Sequence, residues 1–165
     1  MQQTTTAATT GTWTEEEIRQ QPASWIRSLN NIDNLRSSID SFLTPLLRKN
    51  DLRIVLTGAG TSAFIGNIIA PWLASHTGKN ITAVPTTDLV TNPMDYFSAA
   101  HPLLLISFAR SGNSPESVAA VELANQFVPE CYHLSITCNA AGSLYKNAVN
   151  CDNAFALLMP AETHD

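Results

Sequence analysis

The chain has 165 residues, which suits one domain around one core. Hydrophobic residues make up 44% and charged residues 14%, too apolar a mix for a disordered chain, and no apolar run reaches the roughly 20 residues that span a bilayer. A net charge of −5 without any basic cluster argues against a nucleic-acid surface, so an anionic ligand has to be held by local donors.

The Gln/Thr-rich start has no basic stretch leading into an apolar one, so it does not read as a secretory signal; residues 1–11 are expected to be a disordered leader. Three cysteines (Cys131, Cys138 and Cys151) without a CxxC pair fit neither a disulfide framework nor a zinc site. A reducing, cytoplasmic setting is expected, and no metal.

Residues 12–50 read as helices. Thr14 followed by Glu17 resembles a capping box. Pro22 fits the first turn of a second helix with Trp25, Ile26 and Leu29 on one face. Ile32, Leu35, Ile39, Phe42 and Leu46 form a third helical series, which Pro45 should kink or end. The role expected of these helices is to cover a sheet or a partner chain.

From residue 51 the chain alternates between short apolar strands and helices. Strands are expected at Arg53–Thr57, Ile81–Val84, Pro102–Phe108, Tyr132–Thr137 and Ala154–Met159. Helices are expected at Ser62–Ser75, where Pro71 should distort the run, at Glu116–Phe127, and briefly after the fourth strand. This alternation predicts βαβ units: a five-stranded parallel sheet in a three-layer αβα sandwich. Ligands of such sheets bind beyond the carboxyl ends of the strands, where the strand order reverses.

The loops after the strands are rich in Gly, Ser, Thr and Asn, which is what a phosphate site needs: amides at a helix mouth, small hydroxyl donors, and glycines that let backbone approach. In Ser107-Phe-Ala-Arg-Ser-Gly-Asn-Ser-Pro-Glu116, Pro115 suits the first helical position and Ser114 the N-cap. Ser111 and Ser114 could hold a phosphate or merely turn and cap the chain. Arg110 could offer a guanidinium or be a surface charge. The loop Gly58-Ala-Gly-Thr-Ser62 also fits a loose dinucleotide pattern, but the next strand ends in Val84-Pro-Thr-Thr with no ribose-binding acid; the first acid is Asp88. Thr86, Thr87 and Asp88 could reach a sugar or form a turn. His76, His101 and His133 have no motif around them and read as structural.

Together these loops resemble the SIS (sugar isomerase) family. GAGTS is similar to its first sugar-lining loop, giving Gly60, Thr61 and Ser62. ARSGNSPE is similar to its phosphate loop, Ser-x-Ser-Gly-x-Thr/Ser, which puts Ser111 and Ser114 at the phosphate-binding hydroxyls with Gly112 and Asn113 beside them. Ala109 departs from that pattern and removes one hydroxyl. Cys138-Asn-Ala-Ala-Gly-Ser-Leu144 resembles the family's loop after the fourth strand, with Asn139 as its polar residue.

The resemblance covers residues 51–165 and implies a flavodoxin-like strand order 2-1-3-4-5. SFARSGNSPES is most similar to the AgaS-type members, deaminase/isomerases that turn galactosamine 6-phosphate into tagatose 6-phosphate and ammonia. These carry two SIS domains, and this chain has room for one. By that resemblance an acid after the fifth strand moves the proton: Glu162 first, Asp165 second, with His164 assisting ring opening. No cofactor is implied, a sugar phosphate is the expected ligand, and a homo-oligomer the expected assembly. A non-catalytic sugar-phosphate sensor is the alternative.

Overall fold

One helix, not three, leads into the sheet. In the computed structural model, which describes residues 12–162, α1 runs unbroken over Trp13–Leu47. Thr12, not Thr14, is its N-cap: the Thr12 hydroxyl accepts from the Glu15 amide at 3.4 Å. Pro22 and Pro45 both lie inside the helix. A proline removes a single i→i−4 rung, and the rungs on either side carry the helix through when its flanks are held by other contacts. For Pro45 the holding contacts are Phe42, Leu43 and Leu46, which pack into the core.

Beyond α1 the expected alternation is present. The elements are β1 (Arg53–Gly58), α2 (Ser62–Thr77), β2 (Asn80–Ala83), α3 (Thr86–Thr91), α4 (Pro93–Tyr96), β3 (Leu103–Ala109), α5 (Pro115–Phe127), β4 (Cys131–Thr137), α6 (Ser143–Val149) and β5 (Ala154–Leu158). All strand pairs are parallel, in the order β2-β1-β3-β4-β5. Thr86, Thr87 and Asp88 start a short helix rather than forming a turn. Pro71 sits within an uninterrupted α2, which ends at Gly78 in the left-handed conformation.

Central strands buried on both faces need mostly apolar residues, and β1 and β3 supply them up to the buried Thr57 and Ser107 near their carboxyl ends. Val55, Leu103 and Leu105 pack with Leu89, Ala120 and Ala124 on the α3/α5 face. Ile54, Leu56 and Leu104 pack with Leu46 and Ala70 on the α1/α2 face. That alternation produces the three layers.

His133 pairs in register with Leu105 and is 4% exposed. Burial lowers its pKa to about 4, and beside it burial raises the Cys131 thiol to about 12. His133 and Cys131 therefore belong to the core. A neutral buried imidazole has a consequence for acid stability. The unfolded imidazole takes a proton near pH 6.5 and the folded one near pH 4, so between these values the unfolded state binds more protons. Stability is full above pH 6.5 and falls as pH drops, by about 3 kcal/mol at pH 4. Urea denaturation at stepped pH is expected to show this loss in the wild type and to lack it in His133→Gln.

Candidate functional site

The strand order turns back between β1 and β3, so the loops that follow them meet at the carboxyl edge of the sheet. A pocket of about 160 Å³ opens there, lined by Thr61, Ser62, Arg110, Ser111, Ser114 and Ser117 among others. Residues from the two strongest sequence motifs thus share one cavity.

The β1–α2 loop offers hydroxyls more than amides. The amides of Ser62, Ala63 and Phe64 donate to the carbonyls of Ala59, Gly60 and Thr61 at 3.1 Å each, which uses up the helix-mouth donors. Thr61 stands at the N-cap without a side-chain cap bond. Gly60 lies at φ +55°, a conformation that side chains disfavour.

The β3–α5 loop is arranged differently. The carbonyl of Arg110 accepts from the Cys138 amide (3.3 Å) and the Thr137 hydroxyl (3.0 Å). The carbonyl of Ser111 accepts from the Asn139 side-chain amide at 2.9 Å, and that of Gly112 from the Leu144 amide at 3.0 Å. Three successive carbonyls therefore face the β4–α6 loop. In a planar trans peptide the N–H points opposite to the C=O. The N–H groups of Ser111, Gly112 and Asn113 are consequently turned away from that loop; that of Asn113 donates to Ser111 Oγ, and those of Ser111 and Gly112 suit an anion-receptive nest. Gly112, at φ +64°, makes the reversal possible.

The Ser111 hydroxyl agrees with this role. Ser111 Oγ accepts from the Asn113 amide at 3.3 Å, which leaves its proton to donate elsewhere. Ser114 has the extended backbone of an N-cap, with Pro115 next, but no side-chain cap bond; its hydroxyl donates to Ser117 Oγ at 2.6 Å. The α5 ladder begins with Ser117 and Val118 donating to the Ser114 carbonyl. Arg110 lines this pocket and both neighbouring ones.

Two predicted ligand contacts have structural duties. Asn139 staples its loop to Ser111 and accepts from the Ala141 amide at 2.9 Å. The Asn113 side-chain oxygen accepts from the Ser143 amide (2.9 Å) and hydroxyl (3.1 Å). Thr86 is buried and donates to the Gly58 carbonyl at 3.2 Å, whereas Thr87 is exposed. Thr137, Gly142 and Ser143 brace the β3–α5 loop and went unnoticed in the sequence, because their partners lie roughly 30 positions upstream. Glu162 is exposed, with its carboxylate 3.6 Å from the Arg27 guanidinium. His164 and Asp165 lie outside the described residues.

Beside the pocket a second cleft of about 510 Å³ separates α1 from the strand ends; Gln20, Ser24, Ser62, Arg110, Thr137 and Met159 are among its walls. Its α1 wall was not anticipated from the sequence.

This parallel sheet, with a nest and paired serines at its switch point, is the architecture of the sugar-isomerase domains, and the SIS domain family model matches residues 46–164: the chain belongs to the SIS family. Among its relatives, D-galactosamine-6-phosphate deaminase AgaS of Escherichia coli is 82% identical over 162 residues, which are 98% of this chain and 42% of that protein. The protein of the same name from a Shewanella species is 47% identical over 156 residues, 93% of this chain and 40% of the relative. The crystal structure of tagatose-6-phosphate ketose/aldose isomerase from Escherichia coli superposes with a TM-score of 0.93 at 82% identity, covering 98% of this chain and 44% of that one. The chain thus spans about 42% of the length of the curated Escherichia coli relative.

Proposed function

We propose that the chain forms the sugar-phosphate-binding domain of a deaminase/isomerase that converts galactosamine 6-phosphate to tagatose 6-phosphate and ammonia. The observation that carries this reading is the nest. The carbonyls of Arg110, Ser111 and Gly112 are tied to one loop, which leaves the Ser111 and Gly112 amides and the Ser111 hydroxyl proton for a dianion, and the Ser114 hydroxyl can turn from Ser117 to join them. The names of the close relatives supply the substrate.

In this reading the phosphate is anchored at residues 111–114, and the sugar extends past Gly60, Thr61 and Ser62 toward the segment after β5. Thr87, exposed on α3, and the loop that Asn139 holds border the sugar, while the buried Thr86 supports the Gly58 carbonyl behind them. His164 assists ring opening. Glu162 takes the proton from C2 and returns it at C1, with Asp165 as the second carboxylate. The product of that transfer is a 2-imine; water adds at C2 and ammonia leaves, so the net change is substrate plus water to ketose phosphate plus ammonia. The residues hold, orient and move protons, a set that needs no cofactor.

The setting is a reducing cytoplasm, and the assembly is a homo-oligomer. Exposed Phe64, Ile68 and Trp72 on α2, with Trp25 and Ile26 on α1, support the latter.

The test uses this chain alone and also joined to the C-terminal portion of the Escherichia coli relative. Galactosamine 6-phosphate is titrated by calorimetry, ammonia release is measured, and light scattering gives the subunit number. Saturable binding by both forms, with ammonia from the joined form, is expected. Binding without ammonia assigns a sensor, and no binding by either form overturns the reading.

A further inference from the structure

In its first five turns α1 is amphipathic in an unexpected sense. Positions 20, 24, 27, 28 and 31 fall on one face, because 11 residues at 100° each return almost to the starting direction. These positions hold Gln20, Ser24, Arg27, Ser28 and Asn31, and Gln20, Ser24 and Ser28 line the cleft over the strand ends. The apolar Ile26 and Leu29 are turned outward, 61% and 63% exposed, and Trp25, 62% exposed, stands at the edge of the cleft. A helix that only covered a sheet would turn its apolar face in.

The inward polar stripe takes hold of the segment after β5. The Asn31 side-chain amide donates to the Leu158 carbonyl. The Gln20 side-chain amide donates to the Glu162 carbonyl at 2.8 Å and, with its other hydrogen, to the Glu17 carboxylate at 2.7 Å. A carboxylate and a carbonyl can only accept, so these two partners fix which end of the Gln20 amide faces them. Arg27 lies 3.6 Å from the Glu162 carboxylate.

Gln20 to Asn31 rises about 16 Å along the helix, and the four residues from Leu158 to Glu162 reach at most about 13 Å, a difference that the two side chains take up. On its other side the segment is held by the Met159 amide donating to the Thr137 carbonyl at 2.8 Å. Thr137 Oγ1 in turn holds the Arg110 carbonyl of the phosphate loop. One residue therefore sets both the phosphate anchor and the start of the segment that carries Glu162.

The geometry points to Gln20 and Asn31 as positioning residues. They clamp Leu158–Glu162 at a fixed reach from the phosphate nest, and so set the distance between Glu162 and C2 of a bound hexosamine phosphate. The inference rests on the proton-transfer role proposed for Glu162. The clamp acts on backbone carbonyls, so its loss leaves the phosphate anchor intact and costs the transfer step: a displacement of about 1 Å is worth up to ~100-fold in rate.

The experiment compares the wild type, Gln20→Leu, Asn31→Leu, and the exchange Glu17→Gln with Gln20→Glu. All are made in the chain joined to the C-terminal portion of the Escherichia coli relative. The exchange keeps a side-chain pair within the helix but leaves the Glu162 carbonyl without a donor. We expect kcat for ammonia release to fall at least tenfold in all three altered proteins, with KM within threefold of wild type. Hydrogen exchange should quicken in the 157–162 peptide and stay unchanged in β1 and β3. If the exchange restores wild-type kcat, the glutamine only steadies α1, and the inference is overturned. A rise in KM at constant kcat, or unchanged exchange in the 157–162 peptide, overturns it too. A wild type that releases no ammonia refutes the proposed function instead, and that outcome is visible before any variant is read.

Discussion

Gly142→Ala is expected to weaken hexosamine 6-phosphate binding by on the order of 100-fold, as read by calorimetry, while the chain stays folded. Gly142 has an ordinary backbone, φ −69° and ψ 150°, so alanine there meets no conformational strain. The obstacle is contact: its Cβ would lie 2.4 Å from the Ser111 carbonyl oxygen and 3.2 Å from the Gly112 Cα. That oxygen must retreat by more than half an ångström to reach a tolerable distance. It belongs to the same rigid peptide plane as the Gly112 N–H. Moving it tilts one of the amides that form the nest and strains the Asn139 bond to the Ser111 carbonyl. Gly78→Ala is the control. At φ +65° it carries the left-handed penalty of about 1–2 kcal/mol, yet nothing lies within 4 Å of its Cβ and it sits at the far end of α2. It should lower stability and leave binding unchanged.

That Gly142 matters was not legible in the sequence, and the reason is general to this fold. Strand runs such as RIVLT and PLLLISF announce themselves, because a strand buried on both faces has to be mostly apolar. Pro115 behind Ser114 marks the α5 start within a residue. These are local signals, and they led to the sheet, its parallel sense and the strand-to-helix turn at residues 110–115. The bracing of that loop is not local. Thr137, Gly142 and Ser143 meet residues 110–113 only because β3 and β4 are neighbours, and their own surroundings read as an ordinary polar turn.

Asn113 and Asn139 show the same limit from the other side. Their residue types and loops suit ligand contact, yet their side chains are spent on each other's loops. The α1 helix was misread for a different reason. Prolines at 22 and 45 were given the weight of helix boundaries, although each removes only one rung. Trp25, Ile26 and Leu29 have helical spacing whichever way the face points, so periodicity alone left open whether they cover the sheet or a partner chain. The buried Ser24 and the bonds of Gln20 and Asn31 show that the polar face is the inner one.

Glu162→Gln is expected to cut ammonia release from galactosamine 6-phosphate by about 10²–10⁴-fold, the range for removing a general base. Glutamine keeps the size of the side chain, and the bond that Gln20 makes is to the Glu162 backbone carbonyl, so the clamp survives the change. The Arg27 contact is lost, but both side chains are about half exposed or more, and such pairs contribute at most about 1 kcal/mol. Folding and phosphate affinity should therefore match wild type, since the nest at residues 111–114 is untouched. Affinity preserved with turnover lost separates this variant from Gly142→Ala, which removes binding first. If Glu162→Gln keeps wild-type turnover, the proton is carried by another group, and Asp165→Asn in the same assay decides whether that group is the second carboxylate.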